Sequence, residues 1–240
     1  MPVLLEVCVD SPKGLAAAIK GGADRIELCS ALELGGLTPV AGLMKAAAAA
    51  PIPVYAMIRP HAGPFIFDAA DEAAMIADID AVHAFGLEGV VIGANHPDGT
   101  LDMPLIRRLK AHAAGLGSTL HRAFDLVPDA DAALEQAIEL GCERILTSGC
   151  TPKAVDGLET LKRLSAKAEG RISIMPGSGV RPSNATEILR ATGAREIHGS
   201  CSSPVASQDP RAVAFGFEAP RSNQTDAAIV RQMRAVIDAI

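Results

Sequence analysis

Hydrophobic and polar positions alternate along this chain in a regular rhythm. Short apolar or alternating runs, bounded by turn residues, are separated by longer amphipathic stretches. The short runs read as strands over Leu4–Asp10, Arg25–Cys29, Val54–Arg59, Gly89–Asn95, Ser118–Phe124, Arg144–Ser148, Ile172–Pro176 and Glu196–Ser200. Between them, helices are expected from Ser11-Pro12 and over about 39–50, 68–85, 102–115, 129–140, 155–169, 183–192 and 225–240. Ser11 followed by Pro12 is a capping residue with proline at the first helical position. Several of the helical stretches stop at glycine, which accepts a left-handed cap. Residues 202–224, rich in Ser, Pro and Asn, break the rhythm and read as a long loop before the last helix.

One phrase recurs four times: a helix-ending glycine, a small or apolar residue, a charged residue, then a strand-like run. The copies are Gly22-Ala23-Asp24-Arg25-Ile26-Glu27, Gly86-Leu87-Glu88-Gly89-Val90-Val91, Gly141-Cys142-Glu143-Arg144-Ile145-Leu146 and Gly193-Ala194-Arg195-Glu196-Ile197-His198, spaced by 64, 55 and 52 residues. Each interval holds two strand–helix units. Eight such units imply an α/β chain with a parallel sheet and right-handed crossovers. The two-unit repeat favours a closed (β/α)8 barrel of the TIM type over an open doubly wound sheet, because barrel layers are built from alternate strands. Residues 1–240 are expected to form a single barrel domain.

Side chains alternate across a strand, so the apolar positions that meet the helices leave a second set facing the lumen. That set is Glu6, Cys8, Asp10, Arg25, Glu27, Cys29, Tyr55, Met57, Arg59, Val91, Gly93, Asn95, Thr119, His121, Leu146, Ser148, Ser173, Met175, Glu196, His198 and Ser200. The upper layer of the even strands, Cys29, Gly93, Ser148 and Ser200, is all small. It leaves space at the carboxyl end of the barrel, where sites in this fold sit. Beneath lie Glu27, Val91, Leu146 and His198. Buried charges need partners, so Glu6, Glu27, Arg25 and Arg59 are expected to form a network. Such a network serves either structure or chemistry.

Composition narrows the function. At 240 residues and 49% hydrophobic the chain can bury a large core, and with 3% aromatics and no Trp the packing falls to aliphatic side chains. A net charge of −6 argues against nucleic acid or an anionic membrane as the main partner. No stretch is long and apolar enough to span a bilayer. The opening Met-Pro-Val-Leu-Leu-Glu has no basic region or signal-peptide core, so a cytoplasmic location is expected. Five widely spaced cysteines do not form a disulfide framework.

Three constellations carry possible chemistry. Cys8 and Cys29 come from adjacent strands, with Met57, Met175, His121 and His198 facing the same lumen; these are soft or borderline donors suited to Cu(I) or zinc, and they are equally residues that fill cores. Glu6, Glu27, His121 and His198 are candidate acids or bases, with Arg59 as an electrostatic clamp. Pro176-Gly177-Ser178-Gly179-Val180-Arg181 and Gly199-Ser200 follow the last two strands, where loops of this fold bind phosphate through backbone N–H groups. That makes Gly177, Ser178, Gly179, Gly199 and Ser200 the candidate anion site, with Arg181 adding charge. The run Arg59-Pro60-His61-Ala62-Gly63-Pro64-Phe65 reads as a shaped loop or a lid. No lysine falls on a strand, so Schiff-base chemistry is disfavoured.

The strings Leu5-Glu6-Val7-Cys8-Val9-Asp10-Ser11, Gly21-Gly22-Ala23-Asp24-Arg25-Ile26-Glu27-Leu28-Cys29, Glu33-Leu34-Gly35-Gly36-Leu37-Thr38-Pro39 and Met57-Ile58-Arg59-Pro60 resemble the CutC copper homeostasis family. So do His121-Arg122-Ala123-Phe124-Asp125, Arg144-Ile145-Leu146-Thr147-Ser148-Gly149 and Ile174-Met175-Pro176-Gly177-Ser178-Gly179. The likeness runs from about residue 3 to residue 200. It implies a cytosolic barrel that forms a homo-oligomer and takes part in copper homeostasis, with Cu(I) on the cysteines that match Cys8 and Cys29. The polar lumen and glycine loops look equally like those of an enzyme acting on a small anionic or phosphorylated metabolite.

Overall fold

The computed structural model describes residues 3–240; Met1 and Pro2 lie outside the described residues. The strands are β1 (Leu4–Val9), β2 (Arg25–Leu28), β3 (Val54–Met57), β4 (Gly89–Ile92), β5 (Gly117–Leu120), β6 (Arg144–Thr147), β7 (Ser173–Pro176) and β8 (Glu196–Gly199). They form one parallel sheet in the order β7-β6-β5-β4-β3-β2-β1-β8. The sheet curls into a (β/α)8 barrel. β7 and β8 pack side by side at its seam, with no ladder between them among the described residues.

The helices alternate with the strands as the pattern predicts: α1 (Pro12–Gly21), α2 (Ala41–Ala47), α3 (Ala69–Phe85), α4 (Met103–His112), α5 (Ala130–Glu139), α6 (Leu158–Ala168) and α7 (Ala185–Thr192). The Ser11 hydroxyl accepts from the Gly14 N–H at the start of α1. Asp68, Asp102 and Asp129 cap α3, α4 and α5 in the same way, satisfying N–H groups that have no partner inside the helix.

The strand parity is clear in the packing. Leu5, Val7, Val9, Ile26, Leu28, Val90, Ile92, Leu120, Ile145, Ile174 and Ile197 join one apolar core with Leu15, Met44, Ile79, Leu109, Leu134 and Leu161 of the helices. The opposite faces turn inward, where Cys29, Tyr55, Met57 and Val91 form a small separate cluster. Met175 also faces in, accepting at 3.3 Å from the Arg25 guanidinium.

Tyr55 plugs the barrel floor. Its ring is flanked by the Arg144 guanidinium at 4.7 Å and that of Arg25 at 5.5 Å, and its hydroxyl donates to Glu143 at 2.7 Å. Gly89 and Gly117 make the room, since a Cβ on either would lie 2.2 Å from a Tyr55 atom. Gly89→Ala is therefore expected to cost about 1–3 kcal/mol by overpacking. Urea unfolding checks this, and a further Tyr55→Leu change should restore part of the loss.

Residues 202–224, expected as a loop, instead form an antiparallel pair, β9 (Ser202–Ala206) and β10 (Arg221–Thr225), with the short helix α8 (Pro210–Ala214) between them. Its residues are mostly exposed on both faces, so no alternation of apolar and polar positions marks it as strand. The barrel closes with α9 (Ala227–Asp238), packed on α1. Among the described residues, no helix is long and apolar enough to cross a membrane.

Candidate functional site

Register decides which lumen side chains meet. β1 pairs with β2 so that Glu6 lies opposite Arg25 and Cys8 opposite Glu27. On its other edge, Glu6 lies opposite His198 of β8. Three chemically different side chains therefore converge from three neighbouring strands. Ligating atoms of Cys8, Glu27 and His198 all lie within 4.8 Å of one another, and all three residues are buried.

His198 is the hinge of this group. Its Nδ1 bonds Glu6 Oε1 at 2.8 Å, which leaves Nε2 facing Glu27, 3.9 Å from Oε2. Burial disfavours the imidazolium, but the charges of Glu27 and Cys8 outweigh it and hold His198 well above the ordinary histidine range. Burial also presses on Glu6, yet the Arg25 charge and the His198 hydrogen bond prevail and pull its carboxyl down to about 2. Burial raises Glu27, with His198 only partly offsetting it. Glu27 Oε1 is buried and has no partner among the described residues.

Cys29 shares the lumen with this trio. Because Cys8 pairs with Glu27, Cys29 stands two residues further up β2, with its Sγ 3.6 Å from Glu27 Oε2. Burial and then the neighbouring Glu27 carboxylate push its thiol well up.

The buried ion network keeps Glu6 and Arg25 of the expected four, reaches Glu27 through His198, gains Glu196 and Arg144, and lacks Arg59. Arg25 bridges Glu6 and Glu196, and Glu196 also receives Arg144 at 3.1 Å. These bonds tie β2 and β6 to β8 across the lumen and stitch the seam that has no ladder. Arg59 takes no part. Its guanidinium donates to the carbonyls of Leu34, Gly36 and Gly63 at 2.9–3.0 Å and lies 4.8 Å from the Phe65 ring. It stands two residues beyond the end of β3 and holds two mouth loops in place instead. Arg144, absent from the expected network, occupies the position of Arg25 in the repeated phrase, and that equivalence was the signal for it.

Above the trio opens a cavity of about 790 Å³. Its wall includes Cys8, Glu27 and His198 at depth, His121, Arg122 and Phe65 on one side, and Ser178–Ser183 with Gly199–Ser202 on the other. Of the candidate anion residues, Ser178, Gly179, Gly199 and Ser200 line it. Gly177 lies behind, where a Cβ would strike Leu146 at 2.4 Å. Glu6 and Arg59 are not in the wall, so they act through His198 and the loops respectively.

His121 follows β5 directly and turns its ring over Gly93, whose missing Cβ leaves the room; a Cβ there would lie 2.6 Å from the imidazole. Phe65 covers the ring at a centroid distance of 4.7 Å. His121 Nδ1 accepts from the Ala123 N–H at 3.1 Å, so the proton sits on Nε2, which is buried without a partner among the described residues. Burial, then the Arg59 charge, lowers its pKa to about 3. It is a neutral N–H donor.

The sequence profile of the CutC family matches residues 3–203. The chain belongs to the CutC family. It is 58% identical over 238 residues to a CutC family protein of Sinorhizobium medicae, covering 99% of this chain and 97% of the relative. A CutC family protein of Caulobacter vibrioides is 58% identical over 232 residues, 96% of this chain and 95% of its own. Among solved structures, a CutC protein of Streptococcus agalactiae, provisionally assigned to copper homeostasis, superposes with a TM-score of 0.79 at 31% identity, covering 82% of this chain and 98% of its own. The family match ends within β9, so the rest of the arm from α8 to β10 lies beyond it.

Proposed function

We propose that this chain serves copper homeostasis by holding Cu(I) at the Cys8–Glu27–His198 group. The convergence of three ligating atoms within 4.8 Å supports this reading. Thiolate and imidazole favour soft or borderline ions over hard ones, and Glu27 brings a carboxylate oxygen that has no other partner. Glu6 behaves as an outer-shell carboxylate: by bonding Nδ1 it turns Nε2 toward the ion, an arrangement that raises imidazole basicity. Cys29, the second cysteine singled out by the resemblance, supplies a further sulfur one layer nearer the mouth. The cavity above gives the ion a path in and out.

Anaerobic Cu(I) titration against a chromophoric competitor tests this. One ion per chain is expected, with Cys8→Ser lowering the affinity by more than about 100-fold, since outer-shell losses alone cost about 10–100-fold. Affinity should rise with pH, because a proton on His198 competes with the ion for Nε2. A Cys8→Ser, Cys29→Ser double variant that still bound Cu(I) with unchanged stoichiometry and affinity would refute the assignment.

A further inference from the structure

A single ion does not account for a cavity of about 790 Å³. The mouth half of its wall holds donors that the metal group leaves unused. Among the described residues, the backbone N–H groups of Gly179, Val180, Ser200 and Cys201 have no acceptor in the protein. Val180 and Cys201 are buried residues, 7% and 3% exposed, and buried backbone donors are almost always paired in folded proteins. All four residues line the cavity. Consecutive left-handed residues, Ser178 (φ 73°) and Gly179 (φ 70°), shape the first loop.

The rim offers cationic donors although the chain as a whole is acidic. Arg181 lines the cavity and has no carboxylate partner among the described residues. Arg122, which lines the same cavity from the β5 side, gives Nε to Asp125 and Nη2 to Ser148 and Thr151, and its Nη1 has no acceptor among the described residues. Unpaired amides beside the Arg181 guanidinium, with the remaining Nη1 donor of Arg122, form a site for a phosphate anion. Deeper in the same wall, the His121 Nε2–H is a second orphan donor, 2% exposed as a residue. Phosphate on the rim would leave the body of a ligand to reach toward it.

We propose that this cavity binds a small phosphorylated metabolite, its phosphate on the loops after β7 and β8 and beside Arg181, its remaining polar groups accepting from His121. The site uses none of the residues assigned to the ion, so it stands or falls apart from the copper reading.

The test uses the full chain, metal-free, with inorganic phosphate and ribose 5-phosphate as probes. Binding is followed by isothermal titration calorimetry and 31P NMR against chloride at matched ionic strength. Both probes should saturate one site, ribose 5-phosphate the more tightly. Arg181→Glu, on an exposed side chain, should weaken both by at least about tenfold, the scale of a lost charge-assisted contact. His121→Asn, whose Oδ1 keeps the bond from Ala123, should weaken ribose 5-phosphate alone. Absence of saturable binding overturns the proposal, as does an Arg181→Glu variant that binds like the parent. So does a His121→Asn variant that weakens neither probe, or both equally.

Discussion

Arg25→Met is expected to destabilise the barrel by about 3–5 kcal/mol, the scale for removing one partner of a buried ion pair. Arg25 is 4% exposed and is the common cation of two carboxylates, Glu6 on β1 and Glu196 on β8, the strand that borders the open seam. Removing it strands Glu6 at 0% exposure with His198 as its only remaining partner among the described residues, and leaves Glu196 to Arg144. The methionine keeps most of the volume against Tyr55 and Met175, so the loss is electrostatic rather than a cavity. Adding Glu6→Gln and Glu196→Gln should recover more than half of the loss, because neutral groups of the same shape need no counter-charge. Urea unfolding of the single and triple variants gives both numbers. An Arg25→Met barrel within about 1 kcal/mol of the parent would show that His198 and Arg144 already balance the two carboxylates, and the seam would need another explanation.

Much of this architecture can be read from the chain because a barrel strand has one period and one buried outer face. The apolar outer set, Val7, Ile26, Val90 and Ile145 among it, fixes parity, and parity alone turns Cys8, Glu27 and His198 inward. What parity cannot supply is height. Cys8 and Cys29 share a face, but the pairing of Cys8 with Glu27 is a property of the stagger between β1 and β2, which no single strand encodes. Hence the trio of Cys8, Glu27 and His198 emerges only in three dimensions. Strand ends were overrun for a related reason. The expected strand to Phe124 stops at Leu120 because the His121 imidazole accepts from the Ala123 N–H and caps a tight turn over Arg122–Leu126. Side-chain hydrogen bonds of that kind leave no periodic trace. Arg122 and Asp125 were visible only as part of a motif. Their roles depend on Ser148, whose amide and hydroxyl reach the same carboxylate from the next strand.

The contribution of His121 to stability should fall as the pH drops below about 6.5. Burial, and then the Arg59 charge, lowers the His121 pKa to about 3 from the ordinary histidine value of about 6.5. In the unfolded chain it takes up a proton near 6.5, and in the barrel it does not. Between those limits the unfolded state binds one proton more, so stability declines by about 1.4 kcal/mol per pH unit. Over two units that is about 3 kcal/mol. Glu6 acts lower down: its stabilising contribution, present above 4.5, is lost as the pH falls toward about 2. His198 and Glu27 work in the opposite sense. Their folded pKa values are raised, so what they contribute is fully present below 6.5 and 4.5 respectively and is lost as pH rises through the folded values. The parent curve alone therefore mixes signs. The difference between the parent and His121→Asn removes Glu27 and the surface carboxylates, which both proteins share. Equilibrium unfolding at pH 6.5, 5.5 and 4.5 should show the variant losing about one proton's worth less of slope across that interval. Parallel curves for the two proteins would mean that His121 takes up its proton in the folded barrel as readily as in the unfolded chain. The donor at the cavity wall would then be a cation below about pH 6.5.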